Sequence, residues 1–114
     1  MPMISKELIA ASSKPMILSI LACGESYGYA IIQDVRGRSG GRLDWTEGML
    51  YPVLHRLERE GIIRSRWKMS EAGRKRKYYA LTAKGRRALE VEREQWSLVH
   101  ATLSRFWETE PCSS

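Results

Sequence analysis

Cysteine is scarce: Cys23 and Cys112 are the two in 114 residues. They form neither a Cys-x-x-Cys pair nor a Cys/His cluster with zinc spacing, which excludes a metal knuckle and a disulfide framework as the basis of the fold. A Cys23–Cys112 bond is not expected, because Cys112 lies in a Pro/Ser tail that should fray. Cys23 follows an apolar run and is expected to be a buried, inert thiol. Histidine is equally rare. His55 and His100 fall on different expected helices with no nucleophile or carboxylate companion, and no glycine-rich phosphate loop is present. The constellation of an enzyme is therefore missing, and neither a cofactor nor a metal is expected. No stretch approaches the roughly 18 apolar residues of a membrane span. The start, with Lys6 and Glu7, lacks the apolar core of a secretory signal. The expectation is a soluble, cytoplasmic protein.

What the chain does have is an ordinary globular composition, 43% hydrophobic and 28% charged, and a length suited to one domain. A core of this size is modest, so self-association would add apolar burial. The net charge of +6 is unevenly placed. Residues 1–60 are neutral, residues 61–87 carry ten Lys/Arg against Glu71 alone, and residues 88–114 are net acidic. So dense a basic block points to a polyanion, most often nucleic acid. A solvated cationic face is the plainer alternative.

Apolar spacing divides the chain into elements. An apolar stretch from Ile4 to Ala22 is interrupted by Pro15. Ser12 and Ser13 suit a cap, so a helix is expected to restart near Lys14 with Met16, Ile17, Ile20 and Leu21 on one face. Ser26 reads as the cap of a second helix ending near Arg38. Thr46 caps a third helix that runs to Glu60, in which Leu50, Leu54 and Leu57 form the core stripe and Gly61 the stop. Ile62 to Lys68 and Arg76 to Leu81 read as strands joined by a polar loop. Thr82 caps a long last helix to about Trp107. There Leu89, Trp96 and Leu103 recur at seven residues, as do Val99 and Phe106. A heptad stripe on a terminal helix suits packing against a partner subunit's helix.

Three helices followed by a hairpin is the order of a winged helix-turn-helix. The fold expected is mainly α with a small β-hairpin: a winged domain over 1–81, a dimerisation helix over 82–107 and a flexible tail over 108–114. The third helix would enter the major groove of double-stranded DNA, where Thr46, Glu47, Met49, Tyr51, Pro52 and His55 are candidate contacts. Each has a capping or packing role as its plain alternative. Arg74, Lys75, Arg76 and Lys77 at the loop exit suit phosphates, which require cations rather than exact pairing. Trp45, Trp67 and Tyr78 are expected to pack in the core or the wing.

Three stretches carry a resemblance: Tyr27 to Ile32, Glu47 to Gly61 with its Leu50-Tyr51-Pro52 run, and Gly73 to Gly85 with the Tyr78-Tyr79 pair leading into Thr82-x-x-Gly85. Together, and in this order, they resemble the PadR family of transcriptional regulators over roughly residues 16–107. The resemblance implies a bacterial homodimer whose last helix, helped by the first, forms the interface. It also implies a repressor of a dyad-symmetric operator, and an effector that is a small aromatic, phenolic or hydrophobic molecule. The short C-terminal region resembles the small type of that family, in which aromatics at the interface contact flat ligands. Trp96 is the candidate here, with simple interface packing as its alternative. Pro15 puts the shape of any cavity between the first and last helices in doubt.

Overall fold

The first helix, α1 (Lys6–Ala22), starts at Ser5, whose Oγ accepts the Leu8 N–H at 3.2 Å. The structure, a computed structural model, describes residues 4–108. Cys112 and the expected tail beyond Glu108 lie outside the described residues. No break occurs at Pro15, contrary to the expected restart. The Ser12 hydroxyl donates to the Leu8 carbonyl and the Ser13 hydroxyl to that of Ala10, at 2.6 and 2.9 Å. Both serines therefore bond back along α1 instead of capping a second helix. Burial of Ile17, Leu18 and Leu21 keeps the helix continuous across the missing proline N–H.

Ser26 does not cap the next helix either. Ser26–Tyr27 forms a two-residue strand, β1, and α2 (Gly28–Arg38) begins directly behind it with no side-chain cap. Arg42 to Trp45 carries no strand, but Leu43 and Trp45 fold inward to the core. Thr46 is the cap of α3 (Glu47–Arg59), accepting the Met49 N–H at 3.2 Å. Leu50, Leu54 and Leu57 are fully buried, as their spacing requires. Gly61, at φ 76°, ends the helix in the left-handed region that favours glycine.

The strands β2 (Ile63–Met69) and β3 (Lys75–Leu81) pair antiparallel, from Ile63 opposite Leu81 to Met69 opposite Lys75. β1 adds to the free edge of β3, giving the order β1-β3-β2. The expected two-stranded hairpin thus becomes a three-stranded sheet, with Ser26 and Tyr27 in the ladder. Thr82 leads into α4 (Ala83–Glu108) and accepts the Gly85 N–H at 3.0 Å.

The core lies among α1, α2, α3 and the base of the sheet, and Leu89 of α4 closes it. Leu89, expected on a subunit seam, is 5% exposed within the protomer. Its place at the start of α4, over α1, explains the change. Cys23, expected to be buried, is an exposed thiol at the end of α1. Among the described residues, no helix is long and apolar enough to cross a membrane.

Candidate nucleic-acid interface

Strand alternation sorts the wing into two faces. Ser65, Trp67, Lys77 and Tyr79 share the face toward α3. Two contacts tie this face to the helix: the Ser65 hydroxyl bonds Glu58, and Lys77 Nζ lies 3.9 Å from the same carboxylate. Arg66, Lys68 and Tyr78 share the other face. There Glu25 accepts both Nε and Nη2 of Arg66, at 3.2 and 3.0 Å, and also bonds Lys68. These bonds hold the Glu25 carboxyl down at about 2. Tyr27 and Tyr78 meet edge to face, with Arg76 over the Tyr27 ring and Lys68 over that of Tyr78.

Between α3 and the wing runs an open groove of about 650 Å³. Three of the expected recognition residues line it: Glu47, Tyr51 and His55, four residues apart on one stripe of α3. All four wing cations, Arg74 to Lys77, line it too. The side chains of Arg74 and Lys75 are exposed and meet no acidic partner among the described residues. The other recognition candidates point elsewhere. Thr46 caps the helix, Met49 packs partly buried against the core, and Pro52 is exposed but does not line the groove.

The structure adds residues that the sequence reading left out of the site. Tyr27, Gly28 and Tyr29 bring the start of α2 to the groove. Gly28 is needed there, because a Cβ would fall 2.3 Å from the Tyr51 hydroxyl. Trp67, assigned to packing, is instead 60% exposed and faces the groove. The alternation of β2 could have shown this, since Trp67 pairs with Lys77 on the α3 side. Tyr79 lies at the groove's floor with a buried hydroxyl that has no partner among the described residues. Burial, with Tyr51 and Glu58 nearby, pushes its phenol up to about 12.

A second cavity, of about 540 Å³, opens between α1, α2 and Trp96, with Pro15, Met16, Ile20 and Leu43 in its walls. Trp96 is half-buried over it rather than standing clear of the protomer.

A helix-turn-helix whose second helix faces a basic wing across an open groove defines a winged-helix DNA-binding protein. The family model "Transcriptional regulator PadR-like family" matches residues 17–91, and the chain belongs to that family. Its members are DNA-binding regulators and not enzymes. The chain is 36% identical over 88 residues to the transcriptional regulator Rv3488 of Mycobacterium tuberculosis, covering 77% of this chain and 78% of that one. It is 33% identical over 84 residues to the transcriptional regulator YqjI of Escherichia coli, covering 74% of this chain but only 39% of that longer protein. A solved PadR-like transcriptional regulator from Bacillus cereus matches with a TM-score of 0.83 at 30% identity, over 92% of this chain and all of that one.

Proposed function

We propose that the protein is a sequence-specific repressor that binds a dyad-symmetric operator as a homodimer, one α3 per half-site. The observation that carries this reading is the groove, where one stripe of α3 faces Arg74 and Lys75, which meet no acidic partner among the described residues. Glu47 can accept from a cytosine amine, while Tyr51 and His55 can bond a base edge or a phosphate. Arg74 and Lys75 supply the sequence-independent part of the affinity.

The homodimer is supported by the outer half of α4, where Val99, Leu103 and Phe106 are left exposed, Phe106 to 72%. An apolar stripe of this length in water is what a second copy of the helix would cover. Leu89, 5% exposed within the protomer, offers a partner little surface. Release by a small hydrophobic or phenolic effector is supported by the cavity beneath Trp96. Trp96→Ala should abolish an effector's influence on DNA binding while the protein still dimerises. Loss of neither would remove Trp96 from the account.

The deciding experiment compares DNA from upstream of the protein's own gene with scrambled DNA at near-physiological salt. A preference on the order of a thousandfold, with two protomers per site, is the expected result. Weak and equal binding to that DNA and to any operator selected from random sequence would instead indicate a non-specific nucleic-acid or protein-interaction module.

A further inference from the structure

Trp67 presents a largely bare indole to the groove. Among the described residues it makes no hydrogen bond, ring contact or cation contact. The aromatics on the opposite face of the wing are covered instead: Tyr27 and Tyr78 pack edge to face, each beneath a cation. Lys77 stands directly across the strands from Trp67, yet its Nζ lies toward Glu58 and over the ring of Tyr79. The indole therefore does little for the packing of the wing. It leaves a large apolar ring in water and an N–H donor unspent.

Its place along the wing points to what would cover it. Ser65, two residues inward on β2, is bonded to Glu58 of α3, and the pair Met69–Lys75 lies two residues outward. Trp67 thus stands between the joint of wing and helix and the cations at the loop exit. With α3 in the major groove and Lys75 on phosphates, the DNA between those two contacts is a sugar–phosphate strand. Deoxyribose is the apolar part of that strand, and the phosphate oxygens beside it accept hydrogen bonds. We propose that Trp67 packs its ring against a deoxyribose of this strand and donates its indole N–H to an adjoining phosphate. The contact rests on the DNA-binding reading above and adds a neutral component to the affinity. Cations respond to salt because they release counterions, and an indole releases none. The contact carries no base information either, since the sugar recurs at every position.

The test uses the full chain and two short duplexes: an operator selected from random sequence by the parent protein, and its scrambled counterpart. Trp67→Ala should weaken binding to both by about tenfold, with the salt slope of the parent retained. Trp67→Phe should recover part of the loss, because it restores a ring without the N–H. Trp67 is largely exposed, so both variants should fold. In parallel the chain is labelled with 5-fluorotryptophan, and the Trp67 resonance, assigned through Trp67→Phe, should shift as either duplex is added. A loss confined to the operator would make Trp67 a base reader and overturn the sugar contact. A salt slope reduced in Trp67→Ala would overturn its neutral character. A resonance that moves with protein concentration and not with DNA would set the indole against a second copy. Parent-like affinity in Trp67→Ala would remove this contact alone, whereas a parent that binds neither duplex would remove the DNA-binding reading and this contact with it.

Discussion

Glu25 is a single carboxylate that restrains two wing cations on the face away from α3. Because its folded pKa is depressed from the ordinary 4.5 to about 2 by the bonds from Arg66 and Lys68, its contribution is fully present above about pH 4.5 and is lost as pH falls toward 2. Glu25→Gln should therefore lower the melting temperature at pH 7, and the gap from the parent should close as acid is added across that window. A constant gap would assign the effect to packing. Two glycines make contrasting demands at the same scale. A Cβ on Gly85 would meet the Ile62 carbonyl oxygen at 2.1 Å, and backbone cannot swing aside. A Cβ on Gly28 would meet the end of the Tyr51 side chain, which can. Gly85→Ala should cost about 1–3 kcal/mol in urea unfolding. Gly28→Ala should cost less but displace Tyr51 and weaken DNA binding.

Among the elements, the wing separates structural charge from binding charge. Arg66, Lys68 and Lys77 have acidic neighbours, whereas Arg74 and Lys75 have none among the described residues. Lys75→Ala should weaken binding to all DNA sequences alike and reduce the salt slope by about 1. An unchanged slope would take Lys75 off the phosphates. Much of this architecture was legible in the sequence. The leucine stripe of α3 and the caps Thr46 and Thr82 act locally, through helical spacing and short hydrogen bonds, and all three stand as expected. What the sequence did not show depends on partners distant along the chain. Ser26 has the chemistry of a cap but pairs with Tyr79, more than fifty residues away, because the edge of β3 is open there. Pro15 reads as a breaker, yet the buried side chains on either side of it keep α1 continuous. Half of the expected recognition residues face the groove. The faces of α3 were separable only once Met49 was placed on the core and Glu47, Tyr51 and His55 on the groove.

Across the described residues, whose longest dimension is 63 Å, the outer half of α4 leaves Val99 and Leu103 exposed. Leu103→Asp should shift self-association toward monomer, read by sedimentation, while leaving the helical signal intact. Dimers that persisted unchanged would move the interface elsewhere. At its other end α4 is fastened to α3. The Thr82 hydroxyl lies 2.6 and 3.0 Å from the Gly61 and Ile62 carbonyls, and Lys84 Nζ donates to the Glu60 carbonyl at 2.7 Å. With Gly85 pressed on Ile62, the joint between the two helices has little play. The 26 residues of α4 then act as a lever arm about 39 Å long, so a tilt of about 5° at the pivot sweeps its tip through about 3 Å. Movement at the tip is geared down by the same ratio into a fine adjustment of α3. Under the proposed homodimer, a substitution near residue 105 would therefore change the separation of the two α3 helices by acting at the far end of the lever.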